Sequence, residues 1–88
     1  MNREEIIKRV NEVFTETFEL DEAELQPEKQ LFTDLGLDSL DIVDLIVEVY
    51  KKTGINMKTD ENIRKVSTLG GVYDYLEDWV KENPDKLK

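Results

Sequence analysis

The chain has 88 residues, no cysteine and no histidine, with 21 acidic against 12 basic side chains for a formal charge of −9. That length allows one small domain whose modest core has no disulfide to staple it, and any thiol chemistry must come from something added to the protein. The missing histidine removes the usual general base for a serine nucleophile and, with cysteine, the usual zinc ligands, while the negative charge opposes nucleic acid and anionic membrane and favours partners with basic patches.

The first helix is expected over residues 3–18. Asn2, with Glu5 three residues on, reads as a capping box, and Ile6, Ile7, Val10, Val13, Phe14 and Phe18 recur at helical spacing. Lys8, Arg9, Glu12 and Glu16 form its solvated face. Residues 19–33 have weak periodicity, several acids and Pro27, and are expected to be a long connection anchored to the core by Leu20, Leu25, Leu31 and Phe32. Such a loop is tolerable when apolar residues pin it and it leads to a functional site.

It leads to the stretch on which the chain is organised, residues 34–50. Gly36 permits a tight turn, Asp38 is placed to cap the free amides of a helix, and Asp41 sits where a capping box puts its acid. Ser39 is therefore presented to solvent at the start of a helix running to about residue 52, which stops near Gly54 with Lys51 and Lys52 suited to its dipole. From Leu40 to Tyr50 the polar residues are Asp41, Asp44 and Glu48, which fall in one narrow stripe. The rest of the circumference is apolar, so this helix is expected to be buried on most sides and to show an acidic ridge beginning beside Ser39.

Residues 55–59 read as a connection and 60–65 as a turn or two of helix, with Ile63 and Val66 facing inward. Ser67 is placed to cap a last helix whose apolar face is Leu69, Val72, Tyr73, Leu76, Trp79 and Val80. Gly70 and Gly71 weaken its first turn by about 1 kcal/mol each, and either permit close packing against the second helix or mark a loose start. The expected architecture is all-α: a small bundle of three main helices and one short one, with the domain over residues 1–82 and a frayed tail over 83–88. A monomer is expected because one core accounts for the apolar positions. No stretch is apolar enough to span a membrane and the N-terminus lacks the order of a signal peptide, so a cytoplasmic protein is expected.

Ser39 as a hydrolytic nucleophile would need a carboxylate or lysine as its base, and the acids beside it are expected to be exposed and ordinary, so no enzyme is expected. Asp34, Asp38 and Asp41 lack EF-hand spacing, and no metal centre is expected. A helix N-terminus ordinarily welcomes phosphate, yet Asp38 and Asp41 oppose reversible capture of an anion; a phosphate that stays here should be covalently attached.

The run Phe32-Thr33-Asp34-Leu35-Gly36-Leu37-Asp38-Ser39-Leu40-Asp41 closely resembles the prosthetic-group site of acyl carrier proteins, with Asp-Ser-Leu preceded by Asp-Leu-Gly. The resemblance continues through the second helix and returns from Asp60-Glu61 to Thr68. It implies a four-helix carrier bundle without catalysis of its own, in which Ser39 accepts 4′-phosphopantetheine from a transferase that uses coenzyme A. The arm's thiol would then hold acyl groups as thioesters. The resemblance also implies that Asp38, Leu40, Asp41, Asp44 and Glu48 meet the phosphopantetheinyl transferase and acyl-processing enzymes through their basic docking patches. It further implies that the acyl chain retreats between helices, for which Val43, Ile46, Val47, Ile63, Leu69 and Tyr73 are candidates, each also readable as plain core. Lys51 and Lys52 depart from the acids that carriers of primary fatty-acid synthesis usually keep there, and the loop over residues 53–59 is long and lacks the usual Ile-Pro turn. A carrier for polyketide, aryl or aminoacyl groups therefore stands beside one for fatty-acid synthesis, and an unmodified acidic interaction module stands beside both.

Overall fold

The structure is a computed structural model that describes residues 1–57 and 66–83. Among them it contains three α-helices, α1 (Arg3–Thr17), α2 (Ser39–Thr53) and α3 (Leu69–Glu82), and no strand beyond an isolated bridge between Gln30 and Thr68. The short helix expected at 60–65 lies outside the described residues.

In α1 the Asn2 side chain accepts the Glu5 amide at 2.9 Å, and the Glu5 carboxylate pairs with Arg9 instead of reaching back. Ile6, Val10, Val13 and Phe14 are buried along one face. Phe18 is the C-cap and packs its ring 5.6 Å from that of Phe14, while Glu19 turns the chain with a φ of 56°. Arg3 joins α1 to α3 through Asp74 at 2.8 Å and Glu77 at 3.2 Å. Lys52 joins α2 to α1 through Glu16 at 2.8 Å and Glu12 at 3.2 Å, and Arg9 donates to the Lys52 carbonyl at 2.7 Å. Exposed pairs of this kind add little stability each, but they fix which faces of the three helices meet.

The long connection is less irregular than its sequence suggests. It holds a single 3-10 turn, Glu22–Glu24, capped by Asp21, and buries Leu25 and Leu31, with Leu35 and Leu37 buried just beyond it. Its backbone is laced to the start of α3: the Gly70 amide donates to the Pro27 carbonyl at 2.8 Å, Leu69 to Lys29 at 3.0 Å, and Leu31 to Ser67 at 2.8 Å. These bonds satisfy polar groups that a buried loop would otherwise leave without partners. They also decide two expectations. Thr68, not Ser67, caps α3, accepting the Gly71 amide at 3.1 Å, because the chain stays extended through Ser67 and Thr68 while it pairs with Leu31 and Gln30. And Gly70 packs closely, but against the loop instead of α2: a β-carbon there would lie 3.0 Å from the Pro27 oxygen and 3.2 Å from its β-carbon.

Phe32, expected as an anchor, is 49% exposed, whereas Ile55 and Met57, in the expected connection, are fully buried. Asn83 closes α3, its backbone amide and side-chain Nδ2 both donating to the Trp79 carbonyl, and residues 84–88 lie outside the described residues.

Tyr73 is buried and donates its hydroxyl to Asn11 Oδ1 on α1. Burial pushes the phenol above its ordinary value of 10.0, and the Arg3 charge only partly offsets this. The folded state thus holds the proton more tightly than the unfolded chain. The resulting contribution to stability is complete below pH 10.0 and is lost as the pH rises through the folded value. Alkaline titration followed by helical circular dichroism should show this limb in the native protein and lose it in Tyr73→Phe.

Candidate functional site

The approach to α2 is fixed by short-range bonds. Asp34 Oδ2 accepts the Gln30 amide at 2.7 Å, the Asp34 and Leu35 amides both donate to the Gln30 carbonyl at 3.0 Å, and Leu37 donates to Leu31 at 3.0 Å. Gly36 takes a φ of 74°, so the turn between the buried Leu35 and Leu37 is one that an L side chain would strain. Asp38 and Asp41 then complete a capping box: Asp38 Oδ1 accepts the Asp41 amide at 2.9 Å and Asp41 Oδ2 accepts the Asp38 amide at 3.1 Å. Ser39 is the first residue of α2 and is exposed. Its hydroxyl has no hydrogen-bond partner among the described residues. The helix is therefore capped by the residues around the serine, and the serine oxygen is left for other chemistry.

The rest of α2 differs from the expected helix buried on most sides. It buries Leu45, Val49 and Thr53, with Ile42 and Ile46 half-buried beside them, and leaves Leu40 75%, Val43 51%, Val47 46% and Tyr50 54% exposed. At 3.6 residues per turn those four lie within about 80° of arc, between the core side and the acids. What α2 offers to solvent is thus an apolar strip bordered by acids. The reason is that α2 has α1 on one side and the loop and α3 end on another, and three small elements cannot surround a fourth. For the same reason one core does not use up the apolar positions.

The acids themselves are unequal. Asp38 and Asp41 are held by backbone amides, and Glu48 is paired with Lys51 at 3.3 Å. Asp44 is exposed and has no ion pair or hydrogen bond from its side chain among the described residues.

Behind α2 lies an apolar cavity of about 60 Å³, lined by Leu31, Phe32, Ile42, Leu45, Ile46, Met57, Val66 and Val72. Of the residues proposed for an acyl pocket, Ile46 lines it. Val43 and Val47 are on the exposed strip, and Leu69 and Tyr73 are buried in the core and do not line the cavity; Ile63 lies outside the described residues. Val43 and Val47 are exposed because the buried arc of α2 is narrower than its apolar one.

The sequence matches the family model described as the phosphopantetheine attachment site over residues 8–76. It is 37% identical over 76 residues to the acyl carrier protein of Thermotoga maritima, spanning 86% of this chain and 93% of that one. It is 40% identical over 72 residues to acyl carrier protein 2 of Ralstonia nicotianae, covering 82% and 88% of the two chains. The meromycolate extension acyl carrier protein of Mycobacterium tuberculosis is 33% identical over 85 residues, covering 97% and 73%.

The chain belongs to the acyl carrier protein family.

As a member it carries a covalently attached 4′-phosphopantetheine. The residues present fit that group: an exposed serine hydroxyl without a partner among the described residues stands at a helix start, clear of the core. The cavity residues that sequence reasoning missed split into two kinds. Ile42 was legible, since with Ile46 it stands three and seven residues after Ser39 on the same face of an acyl carrier helix. Leu45 falls on the apolar side of α2 with no further signal, and Leu31, Phe32, Met57, Val66 and Val72 come from segments whose contact with α2 carries no local signal.

Proposed function

We propose that this acyl carrier protein holds growing acyl chains as thioesters on an arm attached to Ser39, and shuttles them between enzymes of fatty-acid biosynthesis in the cytoplasm. In this reading it performs no catalysis. The observation that carries it is the hydroxyl of Ser39, exposed and without a partner among the described residues, at a capped helix start next to an apolar strip and an acidic border. The arm supplies the thiol that a chain without cysteine lacks. The cavity behind Ile42 and Ile46 is the shelter for the acyl chain.

Phosphopantetheinyl transferase and acyl-processing enzymes would dock on α2, with Leu40, Val43 and Val47 giving apolar contact and Asp38, Asp41, Asp44 and Glu48 facing basic patches. Exposed charges of this kind steer encounter and leave the complex short-lived, as a shuttle requires. The pairings within the chain rank those acids. Asp44 has no partner among the described residues, whereas Glu48 is already paired with Lys51. With the transferase as probe, Asp44→Lys should therefore slow second-order modification by about tenfold, Glu48→Gln by less than about threefold, and both effects should shrink in high salt. Stopped-flow or quenched mass spectrometry at two ionic strengths reads this directly.

The Glu48–Lys51 pair also supports the second reading, a carrier for polyketide, aryl or aminoacyl groups, because it changes the charge seen by clients at the far end of α2. Identifying the thioester released from protein purified from its own cell separates the two: saturated and 3-hydroxy chains of graded length support the first, and a single ring-bearing or amino acyl group overturns it.

A further inference from the structure

The cavity has a floor and a rim. Leu31, Leu45, Met57 and Val72 are buried and form the floor; Phe32, Ile42, Ile46 and Val66 are partly exposed and form the rim. At about 60 Å³ the space is well below the roughly 150 Å³ of an apolar cavity that takes benzene, so it admits the end of a short chain and nothing longer unless the rim opens.

The rim residues differ in their freedom to move. Ile42 and Ile46 are β-branched residues inside a helix, where one side-chain rotamer dominates. Val66 is also branched and is packed against the start of α3, its Cγ1 lying 3.2 Å from where a β-carbon on Gly71 would be. Phe32 alone is unbranched at Cβ and 49% exposed, so its ring can turn outward into solvent. The backbone that carries it cannot follow. Leu31 is bonded to Ser67, Asp34 and Leu35 to Gln30, and Leu37 back to Leu31, all within 2.8 to 3.0 Å. Among the described residues, the movable part of the mouth is therefore one ring on a fixed frame. On the floor, Met57 is the unbranched, adaptable side chain that can yield to an incoming chain.

We propose that Phe32 is the specificity-determining residue of this carrier: its ring covers the cavity mouth and sets how long an acyl chain the protein shelters. The occupant is a saturated chain borne on the molecule's own arm, because Ser39, Ile42 and Ile46 share one face of α2 and lead from the attachment point to the rim. This rests on the reading of Ser39 and the cavity given above. A chain enters only the fraction of molecules whose ring is turned out, so the ring weakens sheltering by that fraction, and removing it lifts the restriction.

The first arm of the test needs no prosthetic group. Unmodified protein is titrated with hexanol while the methyl resonances of Leu45, Ile46 and Val72 are followed. Phe32→Ala should bind about fivefold to tenfold more tightly than the native protein, and Phe32→Trp more weakly. Ile7→Ala, on α1 and outside the cavity lining, should bind as the native protein does. Equal affinity in native protein, Phe32→Ala and Phe32→Trp, or shifts that bypass those three methyls, would overturn the proposal. In the second arm, protein loaded with saturated thioesters of about four to twelve carbons is exposed to neutral hydroxylamine. Protection should rise more steeply with chain length in Phe32→Ala than in the native protein, and identical profiles would count against the ring. Failure to load the arm at all is read from the intact mass and bears on Ser39, leaving the hexanol result to judge Phe32.

Discussion

Ser39→Ala protein, incubated with coenzyme A and a broad-specificity phosphopantetheinyl transferase, should keep its unmodified mass while the native chain gains one arm quantitatively. The chain has only one other serine, Ser67, and Ser67→Ala should be modified like the native protein. The two differ in setting. Ser67 lies in the extended stretch laced to the first loop, its carbonyl accepting from Leu31, whereas Ser39 opens a fifteen-residue helix with nothing bonded to its hydroxyl among the described residues. The result would not reflect a damaged fold. The α2 amides are capped by Asp38 and the reciprocal bond comes from Asp41, so alanine at position 39 removes no cap. Its circular dichroism should match the native spectrum and its stability should lie within about 0.5 kcal/mol. Any adduct that persists in Ser39→Ala would move the attachment point elsewhere, and failure of the native chain to be modified would favour the unmodified interaction module.

Leu45→Ala and Val47→Ala should part company in a urea melt, although the two residues are two apart in one helix and both apolar. Leu45 is buried at the cavity floor, and its truncation adds empty volume to a space that is already there, with the buried Leu31 and Val72 held around it by the bonded first loop and by α3. Losses for a buried leucine run to about 2–5 kcal/mol, against a total of about 5–15 kcal/mol for a domain of this size. The melting temperature should fall by about 10 °C or more. Val47 is 46% exposed on the outer strip, and its truncation should change stability by no more than about 0.5 kcal/mol. The same Val47→Ala change should instead slow modification by the transferase, since the strip is where partners are proposed to sit. A large loss of stability in Val47→Ala would restore the view of α2 as a helix buried on most sides.

Much of this was readable from order alone. The boundaries of α1 and α2, the capping box of Asp38 and Asp41, the exposed serine between them and the stop at Gly54 all rest on residues within a few positions of each other. Hydrogen bonds at a helix end are made by neighbours in the chain, and a local rule suffices to place them. The family was legible for the same reason, because its signature is the contiguous run 32–41.

What the tertiary structure decided is which side of each element faces what. Periodicity says that α2 has an apolar arc, but not that a small bundle covers only part of it, and so it could not separate Leu45 and Ile46 from Val43 and Val47. The cap of α3 moved from Ser67 to Thr68, and Gly70 found Pro27 for its close neighbour, because a loop forty residues earlier pairs with that stretch. The cavity is assembled from four segments, and Ile55 and Met57 became core only through them. Burial is a property of contacts between parts distant along the chain, and no pattern within one part records its partner.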